Sequence, residues 1–260
     1  MSAPSLPPPA PDLARWVEGL LDEEPAEPLR LGPGRTTWRA LRPDGLSVVV
    51  KRQRGEAAGE GRLVRLVRGE RRSPGRREHE ALEELRALGL PVPRSLHLLE
   101  RGGDSVVVLE DLEHTESLRE RLLRDPGAAG GFLPELLELV RRLHRAGWYH
   151  RDLYLDHVLP VGDPERLFLI DLGRARRDAR PRARWFVKDL AALWHSTPSG
   201  VQPRLGLRFL AGWLDAHGVQ GRRERRRWLR AVLRRARRMA AHVPRGGVSP
   251  SRAPRRESEE

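Results

Sequence analysis

The 260-residue chain contains no cysteine. That excludes disulfides, thiolate metal sites and cysteine nucleophiles together, and a chain of this length is large enough to be held by a packed core alone. Asparagine is also absent, isoleucine occurs once, at Ile170, and of the 49 basic residues two are lysine, Lys51 and Lys188. A GC-rich genome produces this skew, so abundant arginine carries little functional information. A lysine that arginine has not replaced carries more. No apolar run approaches the ~20 residues that span a bilayer. The opening MSAPSLPPPAPDL has neither a basic n-region nor an apolar h-region, so no secretory signal is expected. These absences predict a cytoplasmic protein, or one peripheral to a membrane. The formal net charge of +13 calls for an anionic partner.

Residues 1–28 read as a proline-rich extension followed by a short helix over 12–24, capped by Asp12. Strands are expected at Leu29–Leu31 and Thr36–Leu41, joined through Gly32-Pro33-Gly34, and in the β-branched run Leu46–Lys51. An arginine- and glycine-rich stretch over 52–77 reads as a loop with a short helix near Leu63–Val67. A helix from Arg76 to Leu88 follows, with Leu82, Leu85 and Leu88 apolar and Gly89 as its stop. Strands at Leu96–Leu99 and Ser105–Leu109 flank Gly102-Gly103. From Leu112 the pattern is helical, over 115–124, 132–146, 186–195, 204–217 and 222–241, interrupted by short strands at Val158–Leu159 and Leu167–Ile170. Strands first and helices later give an α+β class with two lobes, 29–112 strand-rich and 113–243 helical, a cleft between them and a flexible tail over 244–260.

The chemistry concentrates in His150-Arg151-Asp152-Leu153 and Asp171-Leu172-Gly173, whose aspartates lie 19 residues apart. Upstream, Lys51 closes the apolar strand and Glu78 lies in the first-half helix. Strand lysine, helix glutamate, HRD loop and DxG turn, in that order, match the protein-kinase-like signature set. Each has a physical reason. The inner phosphates of ATP need a cation, Lys51, which itself needs a carboxylate, Glu78, preferred over Glu80 because it lies one helical turn before Leu82. Magnesium needs an oxygen ligand beyond a tight turn, Asp171, and an acceptor hydroxyl needs a base, Asp152. Gly32 and Gly34 are candidates for phosphate cover, although Thr37 stands at the third glycine position. The hinge is expected near Glu110-Asp111-Leu112, with Glu110 and Leu112 meeting the adenine. Asp189 is expected to cap backbone N–H groups of the catalytic loop, and Lys188 to be solvated.

Two departures narrow the class. His157 stands where the H-R-D-x-x-x-x-N pattern places asparagine, and the stretch from Gly173 to Lys188 has no A-P-E and little room for a peptide platform. A protein acceptor is therefore disfavoured. The segments HRDLYLDHVL, LIDLGRARR and RWFVKDLAALWHS, with Tyr154 and His157 inside the catalytic loop, resemble the lipopolysaccharide core kinases, which phosphorylate heptose or 3-deoxy-manno-octulosonic acid (Kdo). The helix from Arg77 into Leu88-Gly89-Leu90-Pro91-Val92-Pro93 is similar as well, and the resemblance spans roughly Leu29 to His242.

The resemblance implies a bilobal kinase-like fold with ATP and Mg2+ in the interlobe cleft and a sugar hydroxyl of an anionic glycolipid as acceptor. It also implies a place in the cytoplasm or on the inner face of the inner membrane. His157 would sit beside the metal and phosphates as a ring-nitrogen ligand, as an imidazolium on phosphate, or as a brace of the loop. Residues 222–241, with ten arginines and one glutamate, read either as a last helix with a solvated face or as an attraction to the acidic glycolipid or anionic leaflet. Nucleic acid is not expected, because no reader motif is present. Two rivals stand beside this reading: a kinase of another small molecule or of proteins, and a non-catalytic kinase-like module that holds an anionic partner. No sequence feature sets an oligomeric state.

Overall fold

Alternation along the third strand decides which side of the sheet faces the cleft. In the computed structural model, which describes residues 11–55, 73–112, 116–180 and 182–241, five strands form one antiparallel sheet in the order β1-β2-β3-β5-β4. They are β1 (Arg30–Gly32), β2 (Arg35–Leu41), β3 (Ser47–Gln53), β4 (Ser95–Arg101) and β5 (Asp104–Glu110). Side chains two apart share a face. Val48 and Val50 of β3 therefore join Trp38, Val106 and Val108 in a small core that is closed by Leu20 and Leu21. Val49 and Lys51 point the other way, with Val107 and Leu109, toward the rest of the molecule.

The segment that closes the small core follows α1 (Pro11–Gly19), a shorter helix than the expected 12–24. Arg52 pins it by donating to the carbonyls of Leu21 and Glu23 while its guanidinium lies over Trp38.

Helix α2 (Pro74–Ala87) covers the other face. It starts two residues earlier than the apolar spacing suggests, because Ser73 caps Arg76 N at 3.0 Å and Pro74 presets the first turn. Glu78, Ala81, Leu82 and Leu85 form its buried stripe; Leu88, expected in that stripe, is instead the exposed C-cap residue. A Cβ on Gly75 would lie 2.6 Å from the Ser105 hydroxyl oxygen, so a side chain there would hold α2 away from β5.

The second half packs α3 (Leu118–Arg124), α4 (Ala129–Arg145), α5 (Ala183–Ser196), α6 (Pro203–Ala216) and α7 (Arg222–Ala240) around one apolar core. Two small ribbons, β6 (Trp148–Tyr149) with β9 (Arg176–Arg177) and β7 (Val158–Val161) with β8 (Arg166–Leu169), carry the motif loops between α4 and α5. Helix α7 rests on α5 through Val232 and Ala236, flanked by half-buried Leu229, Leu233 and Met239, while Ala240 is exposed. The molecule is an α+β fold of strand-rich and helical lobes. The short helix expected near Leu63–Val67 and the tail expected from Pro244 lie outside the described residues.

Candidate active site

Between the sheet and the helical lobe lies a cleft of about 600 Å3. Val49, Leu82, Leu109, Leu112, Leu159 and Ile170 give it apolar walls, and Lys51, Glu78, His157 and Asp171 converge at its polar end. An apolar slot ending in a few placed charges suits a flat heterocycle that carries anionic groups.

Residues far apart in sequence meet at that end. Lys51 Nζ donates to Glu78 Oε1 at 2.5 Å and lies 3.7 Å from Asp171 Oδ1. Glu78 is 1 % exposed, and its second oxygen has no hydrogen-bond partner in the described structure, with Arg35 3.8 Å from it. Asp171 adopts the left-handed conformation, φ 58°, which turns its carboxylate back into the cleft. Gly173 follows, where a Cβ would stand 3.0 Å from Arg35 and 3.1 Å from Glu78 Oε2; a side chain there would press on the Lys51–Glu78 pair.

The β1–β2 hairpin adds two cations that sequence reasoning missed. Arg30 lies 3.1 Å from Asp171 Oδ2 and Arg35 3.2 Å from Oδ1. Burial pushes the Asp171 carboxyl up, but Lys51, Arg35, His157 and Arg30 outweigh it and hold the group well below the carboxylate range. Gly32 lines the cleft as expected, whereas Gly34, φ 64°, forms the turn itself and is not part of the wall. Glu110, Asp111 and Leu112 lie along the opposite edge. Glu110 Oε2 accepts from Arg94 N at 3.0 Å and Asp111 accepts from Ser47 at 2.7 Å, so both carboxylates are engaged by the local backbone and sheet edge.

The catalytic-type loop is anchored from below. Asp189, fully buried in α5, accepts from the backbone N–H groups of His150 and Arg151, both at 2.7 Å, as expected from its position. His150 Nε2 donates to Ile170 O at 2.9 Å and its Nδ1 accepts from Asp152 N at 3.3 Å, so this imidazole clasps the HRD and DLG segments together. Burial pushes its pKa down, which keeps the ring neutral and suited to that donor–acceptor pair.

The carboxylate of Asp152 is held by two cations, Arg174 at 3.0 Å and Lys188 at 3.3 Å. Lys188 is thus not a solvated lysine: its side chain is 16 % exposed, and burial pushes its ammonium below the ordinary lysine value, against the attraction of Asp152. The scarcity of lysine was the signal that could have found it.

His157 does two things at once. Nδ1 lies 2.8 Å from the Asp152 carbonyl, a pure acceptor, so Nδ1 carries the proton of that bond and braces the loop. Nε2 faces the cleft 3.6 Å from Asp171 Oδ2. Among the described residues no group of three or more histidine or acidic side chains converges as a metal cage.

Residues 35–220 match the model of the lipopolysaccharide kinase (Kdo/WaaP) family. The chain is 35 % identical over 221 residues to the lipopolysaccharide core heptose(I) kinase WaaP of Pseudomonas aeruginosa, covering 77 % of each protein. It is 32 % identical to the 3-deoxy-D-manno-octulosonic acid kinase of Xanthomonas campestris pv. campestris, over 66 % of this chain and 69 % of that one. A shorter similarity, 31 % over half of this chain and 59 % of the relative, links it to the EKC/KEOPS complex subunit BUD32 of Encephalitozoon cuniculi. With its Lys51–Glu78 pair and its HRD and DLG loops gathered at one cleft, the chain belongs to the lipopolysaccharide kinase (Kdo/WaaP) family.

Proposed function

We propose that this protein transfers the γ-phosphate of ATP to a hydroxyl group of an inner-core sugar, heptose or Kdo, of a lipopolysaccharide-type glycolipid. One observation carries the reading: Lys51 and His157 Nε2 flank Asp171 at the polar end of the cleft, while His157 Nδ1 bonds the Asp152 backbone carbonyl and so ties the loop of that paired carboxylate to the same end. The relatives named for heptose and Kdo phosphorylation supply the acceptor class.

In this reading the adenine lies between Val49 and Leu159 and meets the backbone around Glu110 and Leu112. Gly32 lets the hairpin approach the phosphates. Lys51 holds the α- and β-phosphates, and Glu78 holds Lys51; a buried ammonium without that carboxylate would be costly. Arg30 and Arg35 exchange Asp171 for phosphate oxygens when the nucleotide enters. Asp152 orients the acceptor hydroxyl and takes its proton, with Arg174 and Lys188 fixing the carboxylate.

Mg2+ fits the donor set in part. Asp171 is an ionised oxygen donor facing the cleft, which a hard cation prefers, and with no three-residue cage in the described structure the other ligands would be nucleotide oxygens and water. Bound there, the ion would neutralise phosphate charge. His157 Nε2 is an imidazole donor, which magnesium disfavours, so its place beside Asp171 suits a contact with phosphate.

Among the described residues no helix is long and apolar enough to cross a membrane. In this reading the glycolipid acceptor is met at the anionic inner leaflet, which the arginine-rich face of α7 would favour. The test is transfer of labelled γ-phosphate to defined heptose- and Kdo-containing core glycans; magnesium-dependent labelling of one of them is expected. Labelling of none, or of protein instead, would overturn the reading.

A further inference from the structure

A second cavity, of about 390 Å3, is lined by Arg174, the partner of Asp152, and shares no lining residue with the cleft. Its wall carries six arginines, Arg77, Arg151, Arg174, Arg176, Arg182 and Arg184. The one carboxylate among its lining residues, Asp178, already accepts the Tyr149 hydroxyl at 2.5 Å.

Two of the arginines are held by an aromatic stack. Trp185 stacks on Tyr149 at 5.4 Å with the rings 11° from parallel, and the guanidinium carbons of Arg151 and Arg184 lie 4.9 and 4.6 Å from the Trp185 centroid. The Nε atom of Arg151 is buried and has no hydrogen-bond partner in the described structure. Its backbone is in the left-handed region, φ 73°, a conformation that costs energy for a residue with a side chain. Burial, then the nearby Arg174 and Arg176, push the Arg151 pKa down, and Asp178 is the one carboxylate lining the cavity beside the arginines. Arg174 joins this cavity to the reaction: it lines the wall and also grips Asp152 at 3.0 Å.

We propose that this arginine cavity is the subsite for an anionic substituent, a carboxylate or a phosphate, of the acceptor whose hydroxyl faces Asp152. The proposal rests on the sugar-kinase reading above and deepens it. Planar guanidinium forks pair bidentately with both anions, and a pre-stacked fork loses little freedom on binding. Because Arg174 spans the distance, the anionic group belongs to the phosphorylated sugar or to its immediate neighbour. A neutral sugar would offer no anion to the stacked guanidinium groups of Arg151 and Arg184, so the cavity selects charged acceptors.

The test uses the full chain with the cleft filled by a non-hydrolysable ATP analogue and magnesium, at fixed ionic strength. Calorimetry compares 3-deoxy-manno-octulosonate with its methyl ester, and mannose 6-phosphate with mannose. The charged member of at least one pair should bind about tenfold or more tightly, as one or two charge-assisted pairs allow. The Arg182→Gln/Arg184→Gln double variant should lose that preference while keeping its affinity for the nucleotide analogue. If the double variant loses the analogue as well, Arg184→Gln alone is read in its place. No preference in either pair, or a preference undiminished in the variant, overturns the proposal. A retained acid preference without phosphorylation of any glycan would instead sink the kinase reading and leave an anion-binding cavity.

Discussion

Asp152 differs from an ordinary surface aspartate in its two cations. Arg174 reaches both carboxylate oxygens and Lys188 shares Oδ1 with it, so the two cations fix the orientation of the carboxylate. Asp152→Asn should lower phosphate transfer by about 10²–10⁴-fold, the usual cost of losing a general base, with nucleotide affinity retained in calorimetry. Near wild-type turnover on the true acceptor would remove Asp152 from that role. Lys188 adds a pH signature. Its ammonium is pushed below the ordinary lysine value of 10.5, chiefly by burial, so its charge is lost earlier as pH rises. The alkaline limb of the rate profile should fall below that value, and Lys188→Arg, whose fork stays charged, should lack it. Tyr149 cannot supply this limb, because burial and its bond to Asp178 push its hydroxyl up to about 12. An identical limb in both proteins would exclude Lys188. At His157 the bracing bond uses Nδ1 and leaves Nε2 to the cleft. His157→Asn should therefore lower turnover and steepen its magnesium dependence; a magnesium titration that matches wild type would reduce His157 to a brace.

Helix α5 presents Lys188 and Asp189 side by side, and the two neighbours serve different levels of the structure. Asp189 is the centre of a buried network: it accepts from His150 N and Arg151 N, and from His144 Nε2 at 3.2 Å. The His144 tautomer is set by Trp213 of α6, whose indole N–H donates to Nδ1 at 2.9 Å. The catalytic-type loop thus hangs on α4, α5 and α6 together. Asp189→Ala would strand three N–H groups, those of His150, Arg151 and the His144 ring, at about 1–3 kcal/mol for each buried one, and should lower both the melting temperature and the turnover. Trp213→Phe, which removes one donor and keeps most of the ring, should cost much less. Thermal melts of the two variants check this; equal losses would mean that packing around Trp213, not the network, holds the loop. Of this network, the role of Asp189 was legible from its place behind the HRD loop, whereas His144 and Trp213 look like any half-apolar helix positions until α4 and α6 are packed.

Across the whole molecule, charge is distributed with a bias that composition conceals. Arginine is spread along the entire chain, yet the exposed face of α7 carries Arg222, Arg223, Arg226, Arg227, Arg230 and Arg234, while its other face is packed on α5. Each such residue near an anionic leaflet is worth about 1 kcal/mol, an attraction screened over ~10 Å at 0.1 M salt. Vesicles containing anionic lipid should bind the protein at low salt and release it as salt rises, and replacing four of these arginines by glutamine should abolish the binding. Binding to neutral vesicles, or salt-independent binding, would point to an apolar contact instead.

Sequence alone determined the strands of the large sheet, the long helices and the order of the chemistry, whereas the β6–β9 ribbon forms only when its two distant segments meet. The β-branched run before Lys51 can only be a strand, and period-two alternation then separates Val48 and Val50 from Val49 and Lys51. Helical spacing puts Glu78 on the stripe of Leu82 and Leu85, and the HRD and DLG segments announce themselves by residue type. What only the tertiary structure decided is which cations matter. Arg35 reaches Asp171 across 136 residues of sequence, Arg174 turns back to Asp152, and six arginines close one cavity around Trp185. In a chain where arginine is the default cation, no local pattern distinguishes these from the rest. Their identity comes from the approach of two lobes and a loop, because electrostatic partnership depends on distance in space and burial, neither of which sequence spacing encodes.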